Sequence, residues 1–212
     1  MAENTVAEAY NKIQHSQLHF VVDIDIKGFF DNINHAKLIK QIWQIGIRDK
    51  TLICIIKEML MAPVIMPNGE IIYPTKGTPQ GGVLSPLLAN IVLNELDWWI
   101  LSQWENMYSV MEKPSKPNYS TNGERNLGGV YRSLRKTGLK EMYIIRYADD
   151  FKIFCRKRSD TNKVFIAVKQ WLKERLDLEI SEEKSKVVNL KKSYSEFLGI
   201  KLKAVPKGKE YR

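Results

Sequence analysis

One short stretch decides the fold, Phe20-Val21-Val22-Asp23-Ile24-Asp25-Ile26, and a break at Gly28 follows it. Its β-branched residues predict a short, buried strand. Asp23 and Asp25 stand two positions apart, so their side chains share one face of that strand. A carboxylate among Val and Ile neighbours is costly unless it is compensated, and this strand therefore indicates a chemical role.

A second acidic pair stands at a predicted turn. Two β-rich runs, residues 142–148 and 151–156, are separated by Asp149 and Asp150, where a tight hairpin would favour Asn-Gly. Alone, this pair is typical of a solvated turn. If the sheet sets Asp25 beside the turn, three carboxylates converge, and a hard divalent cation would turn their repulsion into attraction. We therefore expect a magnesium site, where two ions about 3.5–4 Å apart support an in-line displacement.

The remaining pattern predicts an α+β fold. Asn34 is expected to cap one helix, a second helix spans about residues 49–60, and Asn68-Gly69 predicts the turn of a hairpin. Ser85, followed by Pro86, is expected to cap a long helix. The order is completed by a further helix over roughly residues 160–177 and by short strands near residues 186–190 and 196–202. This order predicts a split βαβ sheet covered by helices on one face.

The chain divides into two parts of unequal size. We expect residues 1–19 to form an N-terminal tail and residues 20–212 to form one domain, which suits a chain of 212 residues that is 44% hydrophobic. A basic excursion rich in Gly and Pro interrupts this domain at about residues 110–141.

Charge is distributed unevenly along the chain. The formal net charge is +9, and residues 156–212 carry 16 basic and 8 acidic side chains. Such a surplus suits a polyanionic partner, although a solvated lysine-rich surface gives the same count.

Apolar runs are too short for a membrane span, no signal peptide is evident, and two cysteines do not make a disulfide framework. A cytoplasmic location without membrane contact is expected.

Four ordered motifs resemble those of reverse transcriptases, and most closely the maturases encoded by group II introns. The motifs are residues 22–33 (VDIDIKGFFDNI), 77–90 (GTPQGGVLSPLLAN), 147–151 (YADDF) and 197–200 (FLGI). The resemblance implies a polymerase palm, which is a ferredoxin-like split βαβ antiparallel sheet. It implies an RNA-directed DNA polymerase that transfers dNTPs onto a primer with two Mg²⁺ ions, for which Mn²⁺ can substitute.

The resemblance also implies roles for individual residues. Asp25, Asp149 and Asp150 would be the catalytic metal ligands, and the Ile26 carbonyl a backbone ligand. Phe30 would be the steric gate against the sugar of the incoming nucleotide, which selects deoxynucleotides. The resemblance implies three further roles. Gln80 and Gly81 would lie near the nascent base pair, and Lys184 would donate a proton to the leaving pyrophosphate. Phe197, Leu198 and Gly199 would form the primer grip.

The implied partners are group II intron RNA, an RNA template with a DNA primer, and dNTPs; a homodimer is left open. Family members carry a fingers region before the first acidic strand and a thumb after the primer grip. About 20 residues precede that strand here and ten follow Leu202, so the N-terminal fingers and the thumb are expected to be absent. The alternative function is a splicing module that keeps the palm fold and binds RNA without polymerising.

Overall fold

The computed structural model describes residues 2–79, 81–107, 128–207 and 210–211. Its helices are α1 (Ala2–Gln14), α2 (Phe29–Asn32), α3 (His35–Gln44), α4 (Lys50–Met61), α5 (Ser85–Gln103), α6 (Gly128–Leu134) and α7 (Arg158–Trp171), which a π-helical turn (Leu172–Leu176) extends. Its strands are β1 (Phe20–Ile24), β2 (Val64–Ile65), β3 (Ile71–Ile72), β4 (Met142–Tyr147), β5 (Asp150–Cys155), β6 (Lys186–Asn189), β7 (Ser195–Phe197), β8 (Ile200–Leu202), β9 (Pro206–Lys207) and β10 (Glu210–Tyr211).

A four-stranded antiparallel sheet forms the centre of the fold. The strand order is β4-β5-β1-β6, so the first strand of the chain lies between β5 and β6. Four strands in this order, with helices in the two connections that flank the β4–β5 hairpin, make the ferredoxin-like split βαβ arrangement. The α+β prediction is confirmed.

Helices cover one face of this sheet. Helix α7 contacts β1, β5 and β6, while α5 contacts β4. Trp99 of α5 stacks on Trp171 of α7 with ring centroids 5.4 Å apart, which joins the two helices into one layer. The antiparallel β7–β8 hairpin approaches the polar face, because Ser195 donates a hydrogen bond to the Asp23 carboxylate.

Several local predictions are confirmed by the backbone. The Asn34 side chain accepts a hydrogen bond from the Lys37 N–H at 3.1 Å and caps α3. Asp49 accepts from the N–H groups of Thr51 and Leu52 and caps α4. The hairpin β2–β3 forms around Gly69, whose φ is 84°.

Two helix boundaries differ from the sequence prediction. Ser85 does not cap α5: Leu84 is the N-cap, and the Ser85 hydroxyl donates instead to the Pro79 carbonyl at 2.6 Å. This bond closes the preceding loop, and the helix still has Pro86 in its first turn, where no N–H is needed. The helix expected over residues 160–177 ends as an α-helix at Trp171, continues as the π-helical turn, and terminates at Asp177 with φ 62°.

The ends of the domain also differ from expectation. Residues 2–14, which the sequence predicts to be a tail, form α1, and its Ala9 and Ile13 are buried. The ammonium of Lys12 lies 4.0 Å from the ring centroid of Tyr143 on β4, so this segment packs on the sheet. Of the expected excursion, residues 110–127 lie outside the described residues, whereas residues 128–134 form α6 with Leu134 buried.

A buried acid connects the end of this excursion to the sheet. Glu141 is 6% exposed and accepts hydrogen bonds from Arg135 and Arg156. Burial alone would raise the pKa of Glu141, but the bonds and charges of the two arginines outweigh it and leave that pKa below its usual value. In the described part of the chain, no helix has both the length and the apolar character needed to cross a membrane.

Candidate functional site

The sheet register brings the two predicted acidic segments together. In the β1–β5 ladder, Asp23 lies opposite Lys152, and the last pair is Ile24 with Phe151. Extended by one position beyond the end of β1, this register would set Asp25 opposite Asp150. Since alternate residues share a face, the side chains of Asp23, Asp25, Asp150 and Lys152 are directed to the same side of the sheet.

These residues line one cavity of about 730 Å³ at the end of β1. Its charged lining residues are Asp23, Asp25, Asp149, Asp150, Lys152, Glu183, Lys184, Lys186 and Glu196. Six carboxylates therefore face three ammonium groups, and the cavity has a surplus of negative charge. Oxygen ligands with negative charge are the donor set that Mg²⁺ prefers.

The carboxylates do not form a ready-made three-ligand cluster. Among the residues that the structure describes, no group of three or more His, Cys, Asp or Glu side chains is close enough to hold one metal ion. Two of the three predicted ligands contact lysines instead: Lys184 Nζ lies 3.7 Å from Asp25 Oδ2, and Lys152 Nζ lies 3.2 Å from Asp150 Oδ1. Uncompensated carboxylates repel one another, so each turns toward an available cation. The donor types fit a divalent ion, although these side chains do not converge on one point.

Ile26, whose carbonyl is a predicted backbone ligand, lines the same cavity. Ile26 forms an isolated bridge with Ile180, in which Lys27 N–H donates to the Glu179 carbonyl and Ser181 N–H donates to the Asp25 carbonyl. Alternate residues of an extended chain direct their backbone groups to opposite edges. The Ile26 carbonyl is therefore directed away from Ile180 and toward the β5 side, where the acidic turn lies.

The Asp149-Asp150 turn is fastened to α5 by an arginine that the sequence analysis missed. Arg146 donates to both oxygens of Asp97, to the Asn90 side chain at 2.7 Å and to the Ala148 carbonyl at 2.8 Å. Ala148 has φ 55°, a conformation that costs a non-glycine residue about 1–2 kcal/mol. The Arg146 side chain is 14% exposed, so these bonds are largely shielded from water. The arginine thus holds a strained turn in place.

Phe30 lies half-buried on α2, close to the acidic strand. Its ring contacts Phe29 edge-to-face at a centroid distance of 5.3 Å, and Phe29 itself is buried. The Phe30 carbonyl accepts a hydrogen bond from Thr78 N–H at 2.7 Å, which attaches the loop of the second motif to α2. The Phe30 ring is therefore packed against Phe29, and its backbone is attached to the loop of the second motif.

Gly77 makes the close approach in this loop. Its φ is 89°, and a Cβ there would lie 2.9 Å from the Asp31 carbonyl oxygen. Gly77 N–H donates to Ile33, and His35 Nε2 donates to the Gly77 carbonyl at 2.6 Å. No special role for Gly77 or His35 follows from residue type and spacing alone. Gly81, which the resemblance places near the nascent base pair, has φ 78°, and a Cβ built on it would meet no atom within 4 Å outside its chain neighbours. Gln80 lies outside the described residues.

The predicted primer-grip residues form a tight turn beside Asp150. Leu198 and Gly199 connect β7 to β8 with φ values of 52° and 75°, both positive as in a two-residue type I′ turn. Leu198 N–H donates to Asp150 Oδ2 at 3.2 Å, and the Phe197 ring is fully buried. The hairpin tip and the acidic turn are therefore in direct contact.

Lys184 reaches the cavity from the segment before β6. Its side chain is 70% exposed and ion-pairs with Asp25, whose backbone N–H donates to the Ser185 hydroxyl at 3.1 Å. Asp23, in contrast, is bound to Lys152 at 2.5 Å and to Ser195 at 2.9 Å. These two contacts give Asp23 a structural role.

Comparison with known proteins identifies the family of this site. A family model described as reverse transcriptase (RNA-dependent DNA polymerase) matches residues 2–202. The chain belongs to this reverse transcriptase family. It is 31% identical over 195 residues to the group II intron-encoded protein LtrA of Lactococcus lactis, covering 79% of this chain and 32% of that protein. It is 27% identical over 214 residues to the putative COX1/OXI3 intron 2 protein of Saccharomyces cerevisiae, covering 89% of this chain and 24% of that protein.

Solved structures share the fold of this reverse transcriptase chain. Apo telomerase from Candida tropicalis, truncated from its C-terminal domain, superposes with a TM-score of 0.61 at 14% identity, covering 94% of this chain and 37% of the other. Telomerase from Candida albicans with a fragment of telomeric RNA gives 0.56 at 14% identity, covering 95% and 33%. The chain spans about a quarter to a third of the length of the first curated relatives it matches.

Proposed function

We propose that this chain is the palm of an RNA-directed DNA polymerase in a group II intron maturase. The observation that carries the proposal is that one cavity at the end of the β1–β5 ladder is lined by Asp25, Asp149, Asp150 and Leu198. Family membership and the intron-encoded relatives support the same conclusion. The proposed substrates are an RNA template, a DNA primer and dNTPs.

The proposed metal ligands are the carboxylates of Asp25, Asp149 and Asp150 and the carbonyl of Ile26. They would hold two Mg²⁺ ions, and Mn²⁺ would substitute because it accepts the same oxygen ligands. Bound ions of this kind activate an attacking hydroxyl and stabilise the departing phosphate. Asp25 contacts the ammonium of Lys184 and Asp150 that of Lys152, so each of these two proposed ligands already faces a cationic group.

Other residues would orient the substrates and handle the proton. Phe30 would pack against the sugar of the incoming dNTP and leave no room for a 2′-hydroxyl, while Gln80 and Gly81 would contact the nascent base pair. Lys184 would donate a proton to the pyrophosphate, since its exposed ammonium already reaches Asp25. The turn Leu198-Gly199 with Phe197 would support the primer 3′ end.

The proposed binding partner is group II intron RNA in the cytoplasm, and a homodimer is proposed as one assembly. The basic C-terminal part of the chain supports contact with phosphates, which predicts that RNA affinity falls steeply as salt rises. A nearly flat salt dependence would contradict this part of the proposal.

The decisive experiment is primer extension on an RNA template with dNTPs and Mg²⁺. Asp149→Asn should lower the extension rate about 100-fold or more, because losing a metal ligand removes several kcal/mol of charge stabilisation. Glu196→Gln is the matched control, since it removes a carboxylate of the same cavity that has no proposed ligand role. Extension that survives Asp149→Asn would refute the site. A wild-type chain that binds RNA without extending the primer would favour the splicing module.

The sugar gate has its own test. Phe30→Ala should raise the incorporation of ribonucleotides relative to deoxynucleotides, because the smaller side chain leaves room for the 2′-hydroxyl. Steady-state kcat/KM values for paired ribo- and deoxynucleotides measure this ratio. An unchanged ratio would remove Phe30 from the proposed mechanism.

A further inference from the structure

Lys152 is a buried cation at the centre of the candidate site. It lies on β5 between Phe151 and Ile153, both fully buried, and its side chain is only 6% exposed. A lysine is almost never buried this deeply without a partner. Its role is not evident from sequence alone, because the run Phe151–Cys155 has the pattern of an apolar strand.

The ammonium of Lys152 connects two carboxylates that belong to different segments. It lies 2.5 Å from Asp23 Oδ1 on β1 and 3.2 Å from Asp150 Oδ1 at the start of β5. The pair with Asp23 is enough to balance one buried charge. The second contact, with Asp150, is the one that reaches the candidate active site.

The Asp150 carboxylate also binds the neighbouring β7–β8 hairpin. Its second oxygen, Oδ2, accepts the hydrogen bond from Leu198 N–H at 3.2 Å. Leu198 has φ 52°, which a leucine holds only when its surroundings compensate the strain. Both Asp150 oxygens are thus engaged, one by Lys152 and one by the turn. Each oxygen keeps a further lone pair for another ligand.

We propose that Lys152 is a positioning residue for the primer 3′ end: it fixes the Asp150 carboxylate, which in turn fixes the Leu198 turn. The consequence for the primer rests on the proposed function. Losing Lys152 would free Asp150 to rotate, the Leu198 N–H would lose its acceptor, and the strained turn would relax away from the acidic turn.

The variant must separate positioning from folding. Lys152→Met alone leaves the Asp23 carboxylate, which is 12% exposed, without its cation, and that change can unfold the chain. The double variant Asp23→Asn with Lys152→Met removes one charge of each sign and keeps an acceptor for Ser195. Urea unfolding of the double variant verifies that it folds.

Amide hydrogen exchange then measures the turn directly. In the double variant, the Leu198 amide should exchange about ten-fold faster, which corresponds to losing one hydrogen bond to a charged acceptor. The Ala204 amide is the internal control, because it donates to the Leu190 carbonyl at 3.0 Å and does not involve Asp150. Unchanged Leu198 exchange, or equal acceleration at Ala204, would overturn the proposal.

Primer extension supplies the functional measurement. The double variant should show a raised KM for the primer with the KM for dNTP unchanged, a split that general destabilisation does not produce. Equal increases in both values would contradict the positioning role. If the wild-type chain extends no primer, the proposed function fails, and the exchange comparison still decides whether Lys152 holds the turn.

Discussion

The contact between Arg146 and Asp97 gives the sharpest test of how the acidic turn is held. Arg146→Met removes the guanidinium while keeping much of its apolar length. The change breaks the bonds to Asp97 and Asn90 and takes the donor from the Ala148 carbonyl. Asp97, which is 24% exposed, is left without its cation.

The expected cost follows from this burial. Breaking a fully buried ion pair costs about 3–5 kcal/mol, whereas exposed pairs contribute about 0–1 kcal/mol. Because the Arg146 and Asp97 side chains are 14% and 24% exposed, we expect a loss of about 2–3 kcal/mol in the free energy of unfolding. For a domain of this size, the melting temperature should fall by about 5–10 °C.

Urea unfolding followed by circular dichroism measures this loss. The matched control is Arg175→Met, since Arg175 pairs with Glu95 on the same helix α5 at 3.6 Å but is 64% exposed. That variant should lose no more than about 1 kcal/mol. Equal losses for the two variants would show that burial does not strengthen the Arg146 contact, and our account of the held turn would be wrong.

Three further predictions concern other parts of the molecule. The pKa of Glu141 is lower in the folded chain than in the unfolded chain, so the ionised Glu141 stabilises the fold at pH values above the usual carboxyl pKa. This contribution to the free energy of unfolding is lost as pH falls through the folded-state pKa. In acid titrations, the difference in the free energy of unfolding between wild type and Glu141→Gln should therefore shrink below about pH 4. Gly77→Ala should cost about 1 kcal/mol more than Gly69→Ala in urea unfolding, since both have positive φ but only Gly77 would clash. Iodoacetamide should label exposed Cys54 and spare Cys155, where burial raises the thiol pKa to about 12; mass spectrometry that finds folded Cys155 labelled would contradict this.

The local elements were predictable because their signals lie close together in sequence. A capping side chain acts within three residues, so Asn34 identified the start of its helix. Ser85 misled the prediction, because its hydroxyl is used by Pro79, and a nearby competing acceptor cannot be recognised from residue type alone.

The sequence by itself determined the strands, their acidic residues and the reverse transcriptase family, since these depend on residue type and spacing. Only the tertiary structure decided the partners: Lys152 with Asp23 and Asp150, Arg146 with Asp97, and Leu198 with Asp150. The physical reason is that a charge selects its partner by distance in the fold. Asp97 and Arg146 are 49 positions apart in the chain, and the sheet brings them together by burying apolar side chains that carry no charge information.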